Sequence, residues 1–184
     1  MNKIFFLFVS VFLISDIKLA FAEELNSAVI EQYYDKVKKL YTTDAQQNQA
    51  IADFVELTAS DKAQYKNRVT ANLSEKVIEV TIDKKQMVES LRSSKEDLLN
   101  SKAQFTITDI SFENDDHSIA KAKYTFLLSG DVKREIKQQE GIVNITFQSL
   151  STCEERFTIE DNMLKTLGSD CTVEIVYGDP VALQ

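Results

Sequence analysis

The stretch from Gly141 to Tyr177 holds both cysteines of the chain and leaves it few ways to fold. Ile142-Val143-Asn144-Ile145-Thr146-Phe147 alternates apolar with polar residues. The alternation carries on loosely through Cys153 to Ile159, and a second run from Leu164 to Tyr177 answers it. Between the two lies Glu160-Asp161-Asn162-Met163. Two β-rich runs joined by a short Asp/Asn segment read as a long antiparallel hairpin. With Glu160 opposite Leu164 across a three-residue loop, an equal number of steps back along each strand brings Cys153 opposite Cys171. Turn and cysteines thus predict one register, and a Cys153–Cys171 disulfide. A redox-active pair would want a CxxC spacing with one thiol at a helix start, whereas these cysteines lie in strand-like sequence. The bond is therefore read as structural, worth about 3 kcal/mol on the chain-entropy account.

A disulfide implies an oxidising compartment, and the N-terminus agrees. Lys3 precedes the apolar run Ile4 to Ile14, and Ala20-Phe21-Ala22 precedes Glu23-Glu24. That is the layout of a signal peptide over residues 1–22, cleaved between Ala22 and Glu23. The run is far short of the roughly 20 residues that a spanning helix needs. No cysteine follows the cleavage site, so no lipid anchor is indicated. Of the 21 basic and 29 acidic residues, the targeting segment takes Lys3, Lys18 and Asp16, which leaves 19 and 28 and a net charge of −9. Such a surface repels nucleic acid phosphates and anionic lipid headgroups. Residues 23–180 are the size of one domain with a single core, followed by a short tail at 181–184. With one proline and four glycines in all, no flexible linker is visible. Periplasmic or secreted localisation is the expectation.

Leu25, Val29, Tyr33, Val37, Leu40 and Tyr41 recur at helical spacing from Glu23 to Tyr41. Thr43-Asp44 can cap a second helix, with Ala50, Ile51, Phe54, Val55 and Thr58 on one face until Ser60-Asp61. Residues Asp61 to Lys76 are polar and fit either an extension of the helical layer or a loop. Ile78, Val80 and Ile82 alternate as a short strand, and Asp83 starts a helix predicted to run to about Asn100. From there the period changes from 3.6 to 2. Phe105 and Ile107 share one phase while Ile110 and Phe112 take the other, which predicts a bulge near Thr108-Asp109. Ala120, Ala122, Tyr124, Phe126 and Leu128 then alternate with polar residues. The fold class is α+β: a curved antiparallel sheet, a long-stranded meander plus a short strand, with about three helices of the N-terminal half on its concave face.

This order, together with Val77-Ile78-Glu79-Val80-Thr81-Ile82-Asp83-Lys84-Lys85-Gln86, resembles the nuclear transport factor 2-like superfamily, the cone fold shared with SnoaL-like proteins and ketosteroid isomerase. The resemblance implies a pocket between sheet and helices, for which Tyr33, Phe54, Tyr124, Phe126 and Phe147 are candidate lining residues. It also implies pairing of two copies through the open sheet face. Acid-base chemistry of the isomerase kind would need a pocket carboxylate and a Tyr or protonated acid. Asp109 and Glu155 lie near strand phases that could turn inward, but neither matches the family's catalytic position, so no catalytic residue is assigned. His117, the only histidine, sits among Glu113, Asp115 and Asp116 in a turn with no metal-ligand spacing, so no metal or cofactor is expected. No GxSxG, Walker loop or GxGxxG is present. Asn72-Leu73-Ser74 and Asn144-Ile145-Thr146 match the glycosylation pattern by accident in a chain of bacterial style. The expected function is an exported, non-enzymatic binding or scaffold domain of the bacterial envelope, holding a small apolar ligand in its cone or a protein partner on its sheet. An isomerase- or cyclase-type enzyme and an accessory component of a secretion or envelope assembly are the alternatives.

Overall fold

The computed structural model describes residues 24–41, 47–93, 98–113, 115, 117–136, 141–179 and 181–182. The expected signal peptide, its cleavage point and the cap at Thr43-Asp44 lie outside the described residues.

Helix α1 (Ser27–Leu40) starts at Asn26, whose Oδ1 accepts the Val29 N–H at 3.1 Å, and carries Lys38 and Lys39 in its last turn. Both features satisfy the exposed backbone dipoles at a helix end. It buries Ile30 and Tyr34. Helix α2 (Gln47–Thr58) runs straight into β1 (Ala59–Ala71), which turns through Asn72 and Leu73 into β2 (Ser74–Asp83). Helix α3 (Lys84–Ser93) follows, opened by a reciprocal cap in which Asp83 Oδ1 accepts the Gln86 N–H and Gln86 Oε1 accepts the Asp83 N–H. The strands β3 (Leu98–Phe112), β4 (Ile119–Ile136), β5 (Gly141–Glu160), β6 (Met163–Tyr177) and β7 (Val181–Ala182) complete the chain.

Strands β3 to β6 form the expected antiparallel meander, within one unclosed sheet of order β2-β1-β6-β5-β4-β3. Three sequence expectations need correction. The segment 61–76 is neither helix nor loop: most of it is β1, paired antiparallel with β2 and parallel with β6, which makes the sheet mixed. Its inward side chains are Ala63, Tyr65, Asn67 and Val69, of which one is small and one polar, so the period-2 hydrophobic signal was faint. Second, helix α3 stops at Ser93 and Leu98 and Leu99 belong to β3, where they pair with Val132 and Asp131. Third, Val181 and Ala182 of the expected tail pair with Asn144 and Val143.

The bulge in β3 lies where the phase change put it. Ile107 faces Tyr124 and Asp109 faces Lys123, leaving Thr108 as the extra residue, whose hydroxyl donates to the Lys123 carbonyl. The β5–β6 hairpin is subtler. Cys153 does face Cys171, and the two are bonded with α-carbons 4.2 Å apart. The turn, however, is one residue tighter than expected: Glu160 faces Met163 across Asp161 and Asn162, both left-handed at φ 53° and 58°. That is the two-residue hairpin turn for which Asp and Asn are suited. The register is recovered further along, where Phe157 faces Thr166 but Arg156 faces Gly168, so Leu167 is a bulge. Gly168 has φ 109°, and a Cβ there would collide with the Gln64 backbone carbonyl of β1.

The main core packs α1 onto the sheet around Leu25, Ile30, Tyr34, Ala120, Ala122, Phe157 and Leu164. A second cluster, Ala59, Ala63 and Tyr65 with Val55, Ile82 and Met87, seats the start of β1 against α2 and α3.

Candidate functional site

Cys153, Glu155 and Phe157 point to the same side of β5, and all three are buried. For Glu155 this means a carboxyl inside the cone, and pairing registers fix its neighbours. Ala122 on β4 faces it from one side and Ser169 on β6 from the other; Tyr65 on β1 faces Ser169 in turn. Ala122 is fully buried and small, which leaves room for the carboxyl beside it. Helix α1 closes the space from above. The Tyr33 hydroxyl donates to Glu155 Oε1 at 3.3 Å and the Tyr34 hydroxyl to Oε2 at 3.0 Å. The hydroxyls of Tyr124 and Thr166 lie near enough to favour the charged form of this carboxyl.

Burial pushes the Glu155 carboxyl up to about 7, against the opposing pull of the hydroxyls of Thr166, Tyr34, Tyr33 and Tyr124. Desolvation wins because a carboxylate loses more hydration on burial than four neutral donors restore. The phenols of Tyr33, Tyr34 and Tyr124 are raised by burial first and by the Glu155 charge second, so they remain donors. Tyr65 is raised by the same two causes, and its hydroxyl is buried without a hydrogen-bond partner among the described residues. The arrangement can hold one proton near neutral pH in a buried site lined by hydroxyls.

The remaining space is filled by rings. Tyr34 lies against Tyr124, Phe105 and Phe157 with centroids 4.8, 5.6 and 5.9 Å away, and Phe105 stacks on Phe126 at 4.2 Å. Tyr33 packs on Phe54 and Phe157. A cavity beside Tyr33, Phe54, Thr58 and Leu164 measures about 20 Å³. Of the candidate lining residues, Tyr33, Phe54, Tyr124 and Phe126 thus fall in one aromatic cluster. Phe147 does not; it lies with Lys102, Gly130 and Val176 along a separate open groove.

Asp109 is exposed beside the β3 bulge and does not reach the site. His117 stacks on Phe112, with ring centroids 4.5 Å apart, in a backbone of positive φ, and no group of His, Cys, Asp and Glu among the described residues is arranged to hold a metal ion. Glu113 is held by Lys121 and Arg156. The Asn72 amide bonds both the carbonyl and the N–H of Tyr177, so its side chain extends the sheet. Tyr34 was missed because the helical stripe through Leu25, Val29 and Tyr33 passes one position to its side. Its neighbour Tyr33 was the available signal.

Neither a family model nor a curated protein matches the sequence. Solved structures do show likeness. A nuclear transport factor 2-like protein from Cytophaga hutchinsonii is 17% identical, with 80% of this chain and 98% of that chain covered at a TM-score of 0.42. This chain's fold is similar to that of nuclear transport factor 2-like proteins. A ketosteroid isomerase-like protein from Erwinia carotovora is 14% identical over 85% of this chain and all of that one, at a TM-score of 0.40. A hexachlorocyclohexane dehydrochlorinase from Novosphingobium barchaimii is 12% identical, with 85% and 88% covered and a TM-score of 0.41. These likenesses concern the arrangement of elements and not the chemistry.

Proposed function

We propose that this chain is an exported, non-enzymatic binding domain of the bacterial envelope that engages a protein on its sheet and holds no small molecule in its cone. The observation that carries the reading is the filled interior. Small-molecule sites run to roughly 300 Å³ or more, whereas Glu155 is buried and the rings of Tyr33, Tyr34, Tyr124 and Phe157 beside it pack on one another with centroids 4.8 to 5.9 Å apart. Export is supported by the Cys153–Cys171 bond and by the apolar run Ile4 to Ile14 ahead of Ala20-Phe21-Ala22. A place in a secretion or envelope assembly is one form of this reading.

The Glu155 cluster favours a second reading, an isomerase- or cyclase-type enzyme in which Glu155 and a tyrosine share proton transfer to a substrate oxygen. It requires the aromatic cluster to part. Native mass spectrometry of the mature chain, after incubation with a mixture of hydrophobic metabolites that includes a steroid enone, separates the two. The expected spectrum shows the bare chain. A small molecule retained at one per chain, and lost in Tyr34→Phe, would overturn the first reading in favour of the second.

A further inference from the structure

Among the described residues the sheet has two free edges, and the chain treats them differently. On β3, among the residues whose exposure is described, the exposed side chains are polar, Lys102, Gln104, Thr106, Thr108, Asp109 and Ser111 among them. Its apolar residues Phe105, Ile107, Ile110 and Phe112 pack against the core, and the bulge at Thr108 interrupts its ladder. Such features discourage pairing with another strand. The opposite edge, β2, is ten residues long, has no proline, and exposes Val77, Ile78 and Val80 at 45, 60 and 40%. With Leu73 in the turn before it, that edge holds half of the large exposed apolar side chains among the described residues. Ile78 is also the end of a row. Pairing places Ile78 beside Val69 on β1, Val69 beside Val173 on β6, and Val173 beside Ser151 on β5.

We propose that β2 is the docking edge for a second copy of this chain, added antiparallel so that Ile78 faces its own counterpart across a two-fold axis. Two antiparallel strands related by such an axis must place one residue opposite itself. Centring on Ile78 continues the row without a break, from Val173 and Val69 through both Ile78 side chains to the partner's Val69 and Val173. Centring on Glu79 would set two carboxylates face to face, which costs stability in a sheet. With Ile78 at the centre, Glu79 lies opposite Val77 and Lys76 opposite Val80. The unpaired N–H and C=O groups of β2 gain partners, and the exposed isoleucine and valines are covered together. The proposal does not depend on whether the cone admits a ligand.

Analytical ultracentrifugation of the mature chain tests it. The expected species is a dimer, reduced to half the mass in Ile78→Lys. Because that variant could also disturb β2 itself, Ile78→Cys gives an independent measurement: the two thiols meet at the axis, and mild oxidation should yield a covalent dimer mapped to residue 78. Gln104→Cys on the β3 edge should yield none. A monomer at every concentration tested overturns the proposal. So does a dimer that survives Ile78→Lys and does not cross-link through Ile78→Cys.

Discussion

Glu155 is where a carboxyl was placed against the usual preference for solvent, and the consequence is a pH dependence of defined sign. In the unfolded chain it titrates near the ordinary value of 4.5, and in the folded chain near 7. Below the lower value both states hold the proton and the residue contributes no slope. Between the two, only the unfolded state loses it, so folding stability falls as pH rises and then levels off above the upper value. Such a separation corresponds to about 3 kcal/mol over that window. Glu113 and Asp61, held low by hydrogen bonds from Arg156 and Lys84 respectively, act in the opposite sense and below the window. Urea midpoints measured from pH 4.5 to 8 should therefore decline in the native chain and stay level in Glu155→Gln, which keeps the shape, carries no titrating proton, and retains one oxygen to accept a tyrosine hydroxyl. A native midpoint that holds or rises across that range would show that the carboxyl is not shut away as described. The inward phase of Glu155 was legible in the sequence, because Cys153 and Glu155 share a strand face. Its partners Tyr34 and Thr166 were not, since contact between α1 and the β5–β6 hairpin is set by how the helix lies on the sheet.

The β5–β6 hairpin shows how a correct pairing can follow from an incorrect turn. Cysteine spacing fixed which residues meet, but Asp161-Asn162 suits a two-residue loop as well as a three-residue one. The one-residue difference is absorbed at Leu167, next to the only glycine in β6. An isolated glycine in a strand is itself a bulge signal, so the absorber could be read from the sequence even though the need for it could not. Gly168 does two things there. It takes a φ of 109°, which side chains rarely adopt, and it lets the Gln64 backbone of β1 approach without a Cβ between. Gly168→Ala should therefore strain the bulge and also push β1 away. Strain alone costs about 1–3 kcal/mol, and thermal denaturation should show a lower midpoint accompanied by faster hydrogen exchange in Tyr65 to Ala71. An alanine variant as stable as the parent would mean that the bulge and the strand contact can relax without cost.

At the scale of the molecule, the sheet is assembled from contacts of two kinds. The meander β3-β4-β5-β6 joins neighbours in sequence, and its alternating runs made it readable. The docking of β1 on β6 joins residues about a hundred positions apart, Tyr65 to Ser169 and Val69 to Val173. No local pattern announces a parallel partner, which is why β1 passed as loop or helix. The same difference should govern folding. Bringing distant segments together costs loop-closure entropy before any contact is gained. The β1–β2 hairpin cannot protect itself meanwhile, since two strands alone are marginal in water. In pulsed hydrogen exchange during refolding with the disulfide intact, amides at the centre of β4 and β5 should become protected first. Those of β1 should follow in a later phase, together with the burial of Ala59, Ala63 and Tyr65 under α2 and α3. Simultaneous protection of β1 and β5 would mean that the long-range contact belongs to the folding nucleus, and that the meander is not an independent first stage.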